Sequence, residues 1–253
     1  MDRGNVYKTP LFLHKLKPLL TTNLTIHFHF TNTSPVTKHP KPTSDQQPKM
    51  DAVATQARNL PLPTNPQTTI AGRTFIVTGA NTGLGFEAAK HLALLGASRV
   101  ILAVRNPSAG LAAKQAIDEA ILAAAAGGDR RVAVEAWELD LSRYESVKGF
   151  VARAERELER IDGVVENAAV AASPVPGEKA EGHVLPLTVN VLATLLLAVL
   201  LVPVMRVKRA AGGGEVQRLV VVTSRAGFDA REEWEGIRGD ILGGIDASGL
   251  LKT

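Results

Sequence analysis

Cysteine is absent from the 253 residues, so disulfides and thiolate metal sites are excluded. Acidic residues are scarce at the start of the chain. Residues 1–50 hold seven Lys/Arg but only Asp2 and Asp45, which leaves 22 basic against 23 acidic residues in the remainder. The formal charge of +4 therefore belongs to this arm. The rest is near neutral and offers no electrostatic case for nucleic acid. His27 and His29 lack a third ligand nearby, so no metal site is assigned. Pro35, Pro40, Pro42, Pro48, Pro61, Pro63 and Pro66 deny residues 1–68 a continuous helix or central strand. That stretch has linker or disordered composition. Within it, Ile26, Phe28 and Phe30 alternate with His27 and His29, a short strand-like pattern. Two readings of the arm stand: a basic, hydroxyl-rich targeting segment without the usual arginine richness, or an extension upstream of a start at Met50. The second is favoured, with a cytoplasmic location; organellar targeting by residues 1–49 is the alternative.

What the chain does have is a glycine turn between a strand and a helix. Arg73–Val77 is an apolar run, Thr78-Gly79-Ala80-Asn81-Thr82-Gly83-Leu84-Gly85 follows, and Phe86–Ala93 is helix-like. Glycines let the backbone turn tightly and approach a diphosphate, and the helix N-terminus offers unpaired N–H groups with partial positive charge. The spacing is Gly-x3-Gly-x-Gly. Spacing alone also fits a glycine turn that binds nothing.

Beyond Gly72 the pattern is βαβα. Strands are expected at about 73–78, 99–104, 131–139, 161–165 and 218–223, with helices between them. Gly96 reads as the residue just past the first helix, and Asn106-Pro107 as a cap and first turn. Ser142 with Glu145 forms a capping-box pattern. The alanine-rich helix should end at Gly127-Gly128, and Gly212-Gly213-Gly214 should break the chain before the fifth strand. This alternation predicts an α/β fold with a parallel sheet of about five strands over residues 69–253. The long apolar segment 186–208 is the length of a membrane span. It contains Asn190 and Thr194 and lies between two strands, where a crossover helix is needed, so it is read as a buried helix and not as a span.

Thr-Gly-x3-Gly-x-Gly at a strand end resembles the cofactor motif of the short-chain dehydrogenases/reductases, and the resemblance extends from about Gly72 to Ser224. It implies a Rossmann-type doubly wound sheet, hydride transfer between NAD(P)(H) and a small carbonyl or alcohol, and cofactor contacts from Thr78, Gly79, Asn81, Thr82, Gly83, Leu84 and Gly85. Arg105, directly after the second strand, stands where an acid would favour NAD, and an arginine there favours a 2′-phosphate. NADP is the expected cofactor, with NAD the alternative. Asp140-Leu141 matches the family's aspartate near the adenine. Asn167 and Ala168 match two positions of the family's Asn-Asn-Ala-Gly, while Glu166 and Ala169 depart from it. A carboxylate at Glu166 would be costly to bury unpaired. Asn190 matches the helix asparagine of the catalytic tetrad, and Ser224 matches the serine that holds the substrate carbonyl. The resemblance also implies pairing of subunits through the 186–208 helix.

The family's general acid is a Tyr with a Lys four residues later, beyond the serine. A nearby Lys charge lowers the Tyr pKa toward working pH. After Ser224 the sequence has no Tyr, and its only Lys there is Lys252. Tyr144-x3-Lys148 fits the spacing but precedes Asn190 and Ser224, so it reads as helix-surface residues. The expectation is a reductase domain incomplete at its C-terminus, by truncation or by a faulty gene model, with the fifth strand as an exposed apolar edge. The alternative is a non-catalytic NADP-binding or interaction protein.

Overall fold

The structure is a computed structural model that describes residues 25–31, 69–124, 132–171, 175, 177–208, 216–224, 240 and 242–244. The rest of the 1–68 arm, the helix end at Gly127-Gly128, Pro174 and Pro176, the triple glycine at 212–214 and Lys252 lie outside the described residues.

In chain order the elements are β1 (Thr25–Thr31), β2 (Thr74–Thr78), helix α1 (Gly83–Leu94), β3 (Arg99–Val104), α2 (Pro107–Ala124), β4 (Ala133–Glu138), α3 (Tyr144–Glu157), β5 (Gly163–Glu166) and the two-residue strands β6 (Lys179–Ala180) and β7 (His183–Val184). The long helix α4 (Leu185–Val207) and β8 (Arg218–Ser224) follow. The main sheet runs β1-β8-β5-β2-β3-β4, and every pairing in it is parallel. From β2 the chain winds outward through β3 to β4. It then crosses back to β5, on the other side of β2, and continues to β8. This is the doubly wound arrangement expected from the βαβα pattern, and the reversal falls between β2 and β5.

Successive side chains of a strand point to opposite faces, and both faces are covered. Phe75, Val77, Val100, Leu102 and Val104 pack with Ala89 and Ala93 of α1 and Ala113, Ile117 and Ile121 of α2. Ile76, Ile101, Val164, Leu219 and Val221 pack with Val147, Phe150 and Ala154 of α3 and Leu197, Leu201 and Met205 of α4. The apolar segment that had the length of a membrane span is thus a crossover helix seated on the sheet.

Local signals behaved as their chemistry requires. Asn106 Oδ1 accepts from the N–H groups of Ser108 and Ala109 at 2.9 and 3.3 Å, capping α2. Gly96, at φ 92°, stands one past the last cap of α1. The capping box at Ser142 does not form. Ser142 Oγ donates to Asp140 Oδ1 at 2.7 Å, and Glu145 pairs with Lys148 at 3.0 Å. The α3 N-terminus is instead met from a distance, where the Tyr144 N–H donates to Glu181 Oε1 at 2.8 Å. Glu181 and Gly182 form the turn between β6 and β7, both at positive φ (51° and 89°), as a two-residue hairpin turn of the primed type demands.

The expected exposed edge is also corrected. β1 pairs with β8 along its whole length, Thr25 opposite Arg218 through Thr31 opposite Ser224. The strand-like alternation inside the linker-like arm is therefore a sixth strand of the sheet, and it takes up the backbone groups that β8 would otherwise present to solvent. At the far side, Arg99 Nε donates to Glu135 Oε1 at 2.6 Å, and Trp137 Nε1 to Glu135 Oε2 at 3.0 Å. The Arg153 guanidinium lies 4.0 Å from the Trp137 ring centroid. Burial pushes the Glu135 carboxyl up, but the Arg99 and Trp137 hydrogen bonds and the Arg99 and Arg153 charges outweigh it and hold it below the usual carboxylate value.

Candidate functional site

The C-terminal ends of β2 and β5 meet at the point where the winding reverses, and there the glycine turn is built. Thr78 Oγ1 accepts from the N–H groups of Asn167 (3.0 Å) and Ala168 (2.9 Å), and Asn167 Nδ2 donates to the Thr78 carbonyl at 3.1 Å. One threonine thus ties the end of β2 to the loop after β5. Two of the glycines are required by that contact. A Cβ on Gly79, which is at φ 65°, would stand 3.0 Å from Ala168 Cα. A Cβ on Gly85 would stand 2.5 Å from both Asn167 Nδ2 and the Gly79 carbonyl oxygen.

Gly83 differs from both. Its φ is 59°, and a Cβ there would meet nothing within 4 Å. It is the first residue of α1; Thr82, in extended conformation before it, makes no side-chain cap, and the first turn holds no acid. Thr82, Gly83 and Leu84 are exposed and Asn81 is half-buried. The helix thus presents uncapped N–H groups and the positive end of its dipole to an open space. This donor set fits a diphosphate, and the first turn of α1 carries no acid to repel one.

The other expected residues fall around this turn to different degrees. Arg105 follows β3 directly, is exposed, and has no ion-pair partner among the described residues. Asp140 Oδ1 accepts from the Ser142 N–H and hydroxyl (2.9 and 2.7 Å), an arrangement that fixes the corner after β4. Leu141 packs into the core. Asn190 lies in a π-helical stretch of α4, Thr188–Ala193, the kind of local widening of a helix that recurs at functional sites. Its Oδ1 accepts from the Val170 N–H at 2.9 Å and its Nδ2 donates to the Val170 carbonyl at 2.8 Å. The amide thus ties the π-helical turn to the loop after β5 through one donated and one accepted hydrogen bond. Ser224 is the last residue of β8, three beyond the Val221 that registers with Glu166.

Tyr144 and Lys148 do not form a pair. Lys148 Nζ donates to Glu145, and burial together with the Glu181 charge pushes the Tyr144 hydroxyl above its ordinary pKa. A phenol meant to give up its proton near neutrality needs the opposite shift.

Glu166, flagged in the sequence as a carboxylate costly to bury unpaired, is buried without a partner: it is 3% exposed, and neither carboxyl oxygen has a hydrogen-bond partner among the described residues. Burial alone raises its pKa to about 8. The signal was its place in the sequence, the last residue of a strand buried on both faces. The hairpin turn at Glu181-Gly182 was passed over in the sequence, although Glu-Gly between two short segments was visible.

The fold and this turn define a Rossmann-type dinucleotide-binding domain. The family description "short chain dehydrogenase" matches residues 73–236, and the chain belongs to that family. Among curated relatives, the short chain dehydrogenase virL of Hypocrea virens is 36% identical over 180 residues, covering 71% of this chain and 49% of its own. The short-chain dehydrogenase/reductase ffsI of Aspergillus flavipes is 34% identical over 190 residues, covering 75% and 54%. The chain therefore spans about half the length of the curated relatives it matches. Among solved structures, a metagenomic short-chain oxidoreductase in complex with NADP is 25% identical with a TM-score of 0.50, covering 71% of each chain. An NAD⁺-bound xylitol dehydrogenase, 21% identical at TM-score 0.50 over 71% of this chain and 60% of its own, shares the fold.

Proposed function

We propose that this chain is the dinucleotide-binding part of a short-chain oxidoreductase that uses NADP(H) and exchanges hydride with a small carbonyl or alcohol. The observation that carries this reading is the uncapped N-terminus of α1, opening at Gly83 on free space where the winding of the sheet reverses. Family membership and the NADP-complexed relative support a nicotinamide dinucleotide, which would supply the hydride. The chain's own residues do the rest. The N–H groups at Gly83 and Leu84 receive the diphosphate, and Arg105 meets the 2′-phosphate. Asn167 and Ala168 shape the floor through Thr78. Asn190 holds the loop after β5 through Val170, and Ser224 orients the substrate oxygen. Residues 69–253 are taken as the domain, and a cytoplasmic location agrees with α4 being packed on the sheet. Along α4, Val191, Leu195 and Val199 form an exposed apolar row that supports pairing of two copies through this helix. The test is calorimetric titration of NADPH and NADH into wild type and Arg105→Ala. Tighter binding of NADPH, lost in the variant, is expected. Equal affinities in wild type, or a preference that survives Arg105→Ala, would sink the NADP assignment.

A second reading, a nucleotide-binding protein without turnover, is favoured by one observation: the only Tyr-x3-Lys pair is engaged elsewhere. NADPH oxidation over a panel of aldehydes and ketones separates the two. Turnover that Ser224→Ala removes and Tyr144→Phe spares supports the oxidoreductase; none in wild type supports the second reading. Turnover abolished by Tyr144→Phe would contradict the placement of Tyr144 outside the site.

A further inference from the structure

Among the described residues, Glu166 is the buried charged side chain, and the proposed function does not use it. Its side chain shares a sheet face with Val164, and it registers with Val221 of β8. On that same face, two residues beyond Val221, Thr223 Oγ1 is also buried without a hydrogen-bond partner. Two unpaired polar groups thus lie on adjacent strands beneath the cradle, an arrangement that costs free energy and calls for a reason.

The reason lies one residue on. Asn167 follows Glu166 directly. Its N–H and side-chain amide hold Thr78, and its Nδ2 is the atom that a Cβ on Gly85 would strike. Ala168, the next residue, is the atom set against Gly79. The floor of the glycine turn therefore packs too closely to admit a Cβ at Gly79 or Gly85, and it continues directly from the backbone at Glu166.

We propose that Glu166 is a positioning residue for the dinucleotide cradle: its uncharged carboxyl, buried beneath Asn167, keeps Asn167 and Ala168 against Thr78 and the glycines, and loss of its proton loosens the cradle. Among the described residues, a carboxylate at this point has no cation to meet. β2 carries no titratable residue, and on β8 Arg218 registers with Gly163, at the other end of β5. The charged residue of α4 is Arg206, near its far end. From α3, Tyr144 packs against this core, and the β6–β7 hairpin brings Lys179, Glu181 and His183; none of these perturbs Glu166, which burial alone shifts. An ionised Glu166 must therefore draw in water or move, and either displaces Asn167. The inference rests on the dinucleotide reading, and cofactor affinity reports on it.

The experiment titrates NADPH into the full chain between pH 7 and 9, beside Glu166→Gln and Glu166→Asn, which cannot ionise. In wild type the dissociation constant should rise about tenfold across this range, the factor by which the neutral form of a group titrating at about 8 is depleted. Whichever variant folds should bind with a profile flat within about twofold of the change seen for free cofactor and buffer alone. Parallel profiles in wild type and variants would overturn the inference while leaving the dinucleotide reading intact. Absence of NADPH binding at every pH, in all three proteins, would remove the dinucleotide reading itself and the inference with it. A Thr223→Val variant adds a second arm. If the two orphan groups serve each other, directly or through water, it should displace the pH at which wild-type affinity falls; an unmoved midpoint overturns that part.

Discussion

Replacing Glu166 by Gln should change how the stability of the fold depends on pH. In the folded protein this carboxyl titrates at about 8, against a reference of 4.5. Between those values the folded state keeps a proton that the unfolded chain has released. Stability therefore falls as pH rises, with a slope approaching about 1.4 kcal/mol per pH unit. Integrated from pH 5 to 8, the wild type should lose about 3 kcal/mol that Glu166→Gln keeps, because an amide has no proton to lose. This is a large share of the 5–15 kcal/mol typical of a domain. Glu135 does not confuse the measurement. Its folded pKa is depressed, so its contribution is complete above its unfolded pKa and is lost only as pH falls through the lower folded value, outside this window. Urea unfolding of both proteins at pH 5, 6, 7 and 8, analysed as two-state transitions, reads the difference directly. At pH 5 the two should be nearly equal, since each buries a neutral, unpaired group. Curves that stay parallel within about 0.5 kcal/mol from pH 5 to 8 would refute the reasoning, for they would mean that the carboxyl is already paired or hydrated.

Two further outcomes are expected. Deleting residues 1–49 removes β1 and uncovers Leu219–Val222 of β8 along their backbone, so the shortened chain should form assemblies larger than a dimer as concentration rises in light scattering, where the full chain does not; indistinguishable behaviour would show that β1 is dispensable. Leu195→Glu, in the middle of the exposed row on α4, should shift sedimentation from dimer to monomer with little effect on thermal unfolding, because Leu195 is half-exposed; an unchanged sedimentation coefficient would remove α4 as the subunit contact.

Much of this architecture could be read from periodicity. β2, β3 and β5 are short apolar runs because both sheet faces are covered, and their order with the helices between them forces parallel pairing. Asn106 and Gly96 announced the ends of α2 and α1 by chemistry that acts within a few residues. The capping box at Ser142 failed for the complementary reason. Ser142 had a nearer acceptor in Asp140, and the N-terminus of α3 was satisfied by Glu181, a residue 37 positions away, which no local pattern reveals. The glycines were legible as a turn, but not their division of labour. That Gly79 and Gly85 answer to Ala168 and Asn167 while Gly83 faces open space depends on β5 lying beside β2. Asn190 was visible by resemblance, yet its engagement with Val170 was not. Glu166 could be flagged as a cost, but whether it would find a partner depended on every element packed over it.

The parallel pairing of β1 with β8 also has a consequence in time. β1 precedes every other strand of the sheet and β8 follows them all, so contacts of this kind are among the slowest a chain can form. At a synthesis rate of roughly 5–20 residues per second, the Thr25–Thr31 segment waits about 10–40 seconds for its neighbour. During that interval every other strand of the sheet emerges, and β2, β3 and β4 can already assemble around α1 and α2. A nascent chain stalled before residue 218 would leave the backbone of Thr25–Thr31 without the strand it pairs with, open to whatever holds unfinished proteins, and release should follow pairing with β8.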